Sequence, residues 1–483
     1  MSRMLIKGGT VVTATEVMEA EVLIEDGTVV ALYGRGGEGV TATLAAAAVE
    51  AGAHTVIDAA GKYVFPGGVD VHTHMELPFG GTNASDTFET GTRAAAWGGT
   101  TTIVDFAVQT IGEPMMAGYE DWMAKAEGNC AIDYGFHMIV SDVNEQSLKE
   151  MDVLMGEGVT SFKLFMAYPG VLYSTDGQIF MAMQKAAENG GMIMMHAENG
   201  IVIDVLRDQA LARGETDPIY HSITRPPVTE AEATHRAIAY AELAGAPLYI
   251  VHMSAKEAVE EVAKARDRGL NVFGETCPQY LYLGWNNLKE PGFDGAKYVC
   301  STPVRNWDDG HQEAMWEGLK TNDLQVVSTD HCPFCMNDHP TLGTQKRLGE
   351  GDFTAIPNGL PGVEERMQLL YHGAVAEGNL TLNRYVEVTA TTPAKMFGLY
   401  PKKGTIAVGS DADIIVVDPD ARRTMSVEHN HMDVDYSCYE GKDIEGAIDV
   451  VISKGKVLIQ DGEYHGSPGD GSYLSRDTSQ YLI

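Results

Sequence analysis

The sequence predicts an α/β protein: a TIM-type (β/α)8 barrel with a small β-sandwich domain built from both termini. Three observations predict it. Eight short apolar runs alternate with amphipathic helical segments through the middle of the chain. Short β-rich runs stand at both ends. Four histidines and an aspartate close apolar runs in the middle, where barrel strands present their C-terminal ends to an active site.

The strand candidates are 68–74, 100–106, 134–140, 161–165, 192–196, 248–252, 271–276 and 325–329. Between them lie helical patterns such as 255–268 and 229–244, the latter opening on a Thr-Glu-Ala-Glu capping signature. Near the N-terminus, 4–12 and 20–30 read as β structure broken by Gly and Asp turns, and 413–418 and 450–459 repeat the style near the other end. The expected organisation is therefore a β-sandwich from 1–64 and 399–466, a barrel over 65–398 and a C-terminal tail over 467–483. Residues 36–53, rich in Gly and Ala, read as an insertion or loop, and the tail as an extended arm.

Composition excludes several functions. The 483 residues are 44% apolar and 21% charged, as in soluble globular proteins, and can bury a large core. No apolar run approaches the roughly 20 residues that span a bilayer. The first residues enter strand-like sequence with no signal-peptide apolar region, so a cytoplasmic protein is expected. A net charge of −34 repels polyanions and argues against a nucleic-acid partner. The six cysteines read as reduced thiols; Cys332-Pro-Phe-Cys335 is half of a zinc pair without a second half, and reads as core.

The chemistry sits at the strand ends. His72 and His74 are two apart on a strand, so both imidazoles face one way and can reach one ion. His196, His252 and Asp330 end three further runs. Taken singly they read as core histidines and a helix cap; taken together they make a divalent-metal set. Lys163 lies in the apolar run 160–168, where it either snorkels or is buried with a depressed pKa. In the second case the neutral amine adds CO2, becoming a carbamate with two oxygens that can bridge two ions. Histidine-rich ligation with carboxylate-type oxygens favours Zn2+, with Mn2+ or Co2+ able to use the same groups.

Several longer motifs carry a family likeness. They are Phe65-Pro-Gly-Gly-Val-Asp-Val-His-Thr-His-Met-Glu-Leu-Pro-Phe-Gly-Gly-Thr82, Phe162-Lys-Leu-Phe-Met-Ala-Tyr168, His196-Ala-Glu-Asn199, Val251-His-Met-Ser254, Glu275-Thr-Cys-Pro-Gln-Tyr-Leu281, Ser328-Thr-Asp-His-Cys-Pro-Phe334 and Ile356-Pro-Asn-Gly-Leu-Pro-Gly-Val-Glu-Glu-Arg366. Over nearly its whole length the chain resembles the D-hydantoinase/dihydropyrimidinase branch of the amidohydrolase superfamily. The resemblance implies two divalent ions per subunit. His72, His74, carbamylated Lys163 and Asp330 would hold one, and Lys163, His196 and His252 the other.

It further implies that Tyr168 supports an oxyanion and that the backbone at Ser301 and Asn358 binds a cyclic amide or ureide. The expected reaction is ring opening by a hydroxide bridging the two ions, with Asp330 moving the proton. Dihydrouracil would give N-carbamoyl-β-alanine, and a 5-substituted hydantoin an N-carbamoyl amino acid. No redox or group-carrying cofactor is implied, and a homotetramer, or a homodimer, is. The loop 168–175 differs from the segments of particular members and borders the substrate.

Three relatives are alternatives. A dihydroorotase would carry an arginine soon after the paired histidines, where this chain has Met75-Glu76-Leu77. An allantoinase shares the ligand set. A collapsin-response-mediator-like interaction protein would lack ligands that are all present here.

Overall fold

The computed structural model describes residues 2–34, 50 and 52–482. Eight parallel strands form the barrel: β1 (Gly68–Thr73), β2 (Thr100–Val108), β3 (Asp133–Ile139), β4 (Ser161–Phe165), β5 (Met192–His196), β6 (Leu248–Ile250), β7 (Val272–Thr276) and β8 (Val326–Val327). They hydrogen-bond in chain order. The ring closes where Thr73 bridges His331 and the His74 N–H donates to the His331 carbonyl at 2.8 Å. Helices including Phe88–Trp97, Glu145–Gly156, Asp176–Asn189, Pro227–Ala244 and Lys256–Asp267 follow successive strands.

These strands are buried along nearly their whole length and largely apolar, because both faces are covered. On β5, Met192 and Met194 join the interior cluster of Val104, Phe106 and Phe273, while Ile193 and Met195 join the cluster beneath the helices. His196 shares the parity of Met192 and Met194, so it too points inward. On β4 the inward set is Ser161, Lys163 and Phe165 by the same count.

Two strands are shorter than expected by more than one residue. β6 stops at Ile250 and β8 at Val327, whereas 248–252 and 325–329 were expected. The positive φ of His252 (39°) and Asp330 (53°) lies beyond these strand ends, turning the chain away from a regular ladder. A register shift between β1 and β2 lies between Asp70 and Thr73. It lets Val71 join the interior cluster while His72 packs 4.7 Å from the Phe106 ring. One helix start also differs. The helix expected to open near Thr229 begins at Pro227, because a proline at the first turn is already set to helical φ. Thr229 Oγ1 donates to the Pro226 carbonyl at 2.8 Å instead of capping.

Among the described residues, strands from both ends of the chain form a β-domain with one ten-stranded hydrogen-bonded network. Tyr63–Pro66 is its joint, parallel to Thr10–Val12 and antiparallel to Ile414–Thr424. Ile414 and Val416 face the cluster of Ile6, Val22, Ile24 and Ile452, while Ile415 and Val417 face the main core. The run expected at 450–459 is a hairpin of Asp443–Ser453 and Lys456–Gln460. Residues 472–477, expected as part of an extended arm, lie against the barrel beside β3. The Leu474 N–H donates to the Tyr134 carbonyl at 2.7 Å, and buried Arg476 donates to Ser161 Oγ at 2.9 Å. The reading of 36–53 as an insertion falls almost wholly outside the described residues.

Candidate active site

Eight of the nine residues singled out above line one cavity: His74, Lys163, Tyr168, His196, His252, Ser301, Asp330 and Asn358. The ninth, His72, is fully buried against Lys163 and Asp330. They come from the ends of five strands, β1, β4, β5, β6 and β8, and from the loops carrying Tyr168, Ser301 and Asn358, spread over more than half the chain, and the barrel brings them together.

Two groups of ligand atoms form. In one, Asp330 Oδ1 stands 3.1 Å from His72 Nε2 and 3.3 Å from His74 Nε2, and Lys163 Nζ stands 2.9 Å from His72 Nε2. One ligand atom each from His72, His74 and Asp330 fits within 4.8 Å. In the other, His196 Nδ1 and His252 Nε2 are 2.9 Å apart. His74 Nδ1 and His252 Nδ1 are buried without a hydrogen-bond partner. Imidazole nitrogens crowded together around a carboxylate suit a divalent cation better than they suit one another.

The electrostatics agree. Burial pulls His74 down to about 3 and His252 well below its ordinary value, so both imidazoles are neutral, the form that binds metal. Burial also opposes charge on Asp330, but the His72 charge and the hydrogen bonds to His72 and His74 outweigh it and hold the carboxyl well below the usual range. The Lys163 amine is pushed down to about 8 by burial, against the pull of Asp330 and Glu275. Its Nζ sits 4.3 Å from the Phe106 ring centroid. Tyr168 is pushed up to about 12 by burial and the Glu198 charge, so its phenol keeps its proton.

Asn358 Nδ2 donates to Ser301 Oγ at 3.1 Å and to Tyr168 Oη at 3.4 Å, joining these three residues. Tyr168, His252 and Asp330 all have positive φ, at 61°, 39° and 53°. Such non-glycine conformations cost about 1–3 kcal/mol each and persist where packing enforces them, commonly at functional sites.

Sequence reasoning missed the carboxylates behind the histidines. Glu275, at the end of β7, accepts from His72 Nδ1 at 2.7 Å, from Tyr249 Oη at 2.8 Å and from the His252 N–H at 2.9 Å. Glu198 meets His196 Nε2 at 2.8 Å. Both are buried. A carboxylate on the outer ring nitrogen fixes the tautomer and turns the other nitrogen inward. The signal was present: each sits in a motif quoted above, Glu198 two residues beyond a candidate ligand. Glu275→Gln or Glu198→Gln is expected to lower metal affinity roughly 10–100-fold with the fold retained. Metal titration beside a circular dichroism spectrum checks this, and unchanged affinity in both variants would show that the carboxylates only pack. The Cys332/Cys335 pair is buried, and both thiols are free, as expected of core residues.

A buried cage of imidazoles and a carboxylate at the C-terminal mouth of a parallel barrel defines a metallohydrolase-type site. A family model described as the amidohydrolase family matches residues 63–458. The chain is 64% identical to a D-hydantoinase of Streptomyces coelicolor, over 100% of this chain and 99% of that one. It is 49% identical to a D-hydantoinase of Geobacillus stearothermophilus, over 98% and 96%. The crystal structure of a dihydropyrimidinase from Brevibacillus agri NCHU1002 aligns at a TM-score of 0.92 and 48% identity, covering 99% of both chains. The chain belongs to the amidohydrolase family, in its D-hydantoinase/dihydropyrimidinase branch.

Proposed function

We propose that this protein hydrolyses the ring amide of 5,6-dihydropyrimidines and 5-substituted hydantoins, yielding N-carbamoyl amino acids. The observation that carries the reading is the meeting of His72, His74, Lys163, His196, His252 and Asp330 at one mouth of the barrel, next to the Tyr168–Asn358–Ser301 group. The similarity to D-hydantoinases and a dihydropyrimidinase over the full chain supports the substrate class.

His72, His74, Asp330 and a carbamate on Lys163 would hold one divalent ion, and that carbamate with His196 and His252 the other. Zn2+ suits the donors best, and Mn2+ or Co2+ fits them also. Such ions, when bound, supply a hydrolytic nucleophile at neutral pH and polarise the scissile carbonyl. The chain's own groups do the rest. Tyr168 donates its phenolic proton towards the developing oxyanion. Asp330 takes the nucleophile's proton on a carboxylate oxygen and returns it to the leaving ring nitrogen. Backbone groups at Ser301 and Asn358 hold the ring amide. Leu77, Phe79, Val171 and Leu172 give the cavity an apolar flank suited to a ring substituent.

The same family reading makes residues 65–398 the catalytic unit and the protein a cytoplasmic homotetramer; light scattering on the purified protein tests the assembly. Among the described residues no helix is long and apolar enough to cross a membrane.

Chelation is expected to abolish hydrolysis of dihydrouracil and hydantoin, and Zn2+, Mn2+ or Co2+ to restore it. A kinetic panel of dihydrouracil, hydantoin, 5-phenylhydantoin and allantoin ranks the substrates. Full activity in thoroughly metal-free protein would overturn the reading, as would turnover of allantoin alone.

A further inference from the structure

Lys346 is fully buried, yet no carboxylate pairs with it among the described residues. The contrast with Lys403, also buried, is sharp. Lys403 Nζ sits 2.7 Å from Asp133, 2.7 Å from Asp413 and 2.9 Å from Asp411. Lys346 Nζ instead donates to three backbone carbonyls, Val299 at 2.9 Å, Pro357 at 2.8 Å and Gly359 at 2.8 Å. An ammonium has three donors and all three are used. Taking such a cation out of water without a counter-charge is costly, so each of these bonds matters.

The three carbonyls are not scattered. Val299 stands two residues before Ser301, while Pro357 and Gly359 flank Asn358. The two loops also touch directly, the Gly359 N–H donating to the Val299 carbonyl at 3.0 Å. A Cβ at position 359 would run into the Cys332 carbonyl, so only glycine lets the loop come this close. Lys346 is itself pinned from behind, its N–H donating to the Cys335 carbonyl at 3.0 Å.

We infer that Lys346 is a positioning residue that clamps the two substrate-binding loops, holding the backbone at Ser301 and Asn358 in register for the ring amide. The inference rests on the substrate role given above to Ser301 and Asn358. Lys346 touches none of the metal-ligand candidates, so it acts on ring binding and leaves the hydrolytic groups in place.

Two variants test it. Lys346→Met is one atom shorter and removes every donor; Lys346→Gln keeps two. With the better of dihydrouracil and hydantoin as substrate, Lys346→Met is expected to raise KM about tenfold or more, the equivalent of one charge-assisted hydrogen bond. The effect of Lys346→Gln should be smaller, with kcat within about threefold and metal content unchanged in both. Amide hydrogen exchange should quicken in 298–303 and 356–361 and stay as in wild type in β4 and β5. An unchanged KM, or exchange that quickens equally everywhere, would overturn the inference. If Lys346→Met does not fold, Lys346→Gln gives the same two readouts. If the wild-type protein opens no cyclic amide, it is the substrate reading that fails, and the exchange pattern still decides whether Lys346 clamps the loops.

Discussion

Asp330→Asn is expected to lower kcat by about 10²–10⁴-fold, the usual worth of general acid–base assistance, while both ions stay bound and KM hardly moves. Asp330 Oδ1 faces His72 and His74, and the charge and hydrogen bonds there keep the carboxylate ionised. It is therefore an acceptor at working pH, able to ligate through one oxygen and take a proton on the other. Asparagine preserves the shape and a carbonyl oxygen but not the basicity. Ring binding is assigned to Tyr168 and the backbone at Ser301 and Asn358, which the substitution leaves alone. Steady-state kinetics with metal analysis of the same sample decides the matter. A variant holding both ions with kcat within a few-fold of wild type would mean that another group carries the proton.

Lys163→Ala is expected to lose the metal pair, and with it more activity than the roughly 10–100-fold that removal of an outer carboxylate costs. Short carboxylic acids should restore part of the activity by placing two oxygens where the carbamate stood. The local chemistry favours the modification. With the amine pushed down to about 8, about one molecule in ten is neutral at pH 7, against fewer than about one in a thousand for an ordinary lysine. Only the neutral amine has the lone pair that forms the new N–C bond to CO2, losing a proton as it does so. Carbamate formation should accordingly quicken as pH rises towards 8. Crystallographic density showing a plain amine beside two well-occupied ions would contradict the proposal, as would an active, metal-loaded Lys163→Ala.

Much of this protein is determined locally and so was legible in the sequence. A strand covered on both faces is largely apolar, and Met192–Met195 shows that directly. Where such a run ends on a histidine within a regular ladder, as at His196, parity says which way the side chain points. The β-rich ends likewise declared themselves, since Ile414–Val417 can be apolar throughout only if both faces are buried.

What depends on distant partners was not legible. The ends of β6 and β8 lie beside the backbone turns at His252 and Asp330, which packing imposes against local preference. The bulge in β1 exists only because β2 lies beside it. Glu275 and Glu198 resemble any buried acid until the fold sets them against His72 and His196. Lys346 gave no signal at all: three carbonyls from two loops are backbone groups, which every residue possesses, and only the tertiary structure decides where they converge. Side-chain pattern along one strand is thus determined by the sequence itself, because burial acts residue by residue. Hydrogen bonding between segments waits on the fold, because whether its partners stand 203 residues apart, as His72 and Glu275 do, or 11 to 47, as around Lys346, only the tertiary structure brings them within reach.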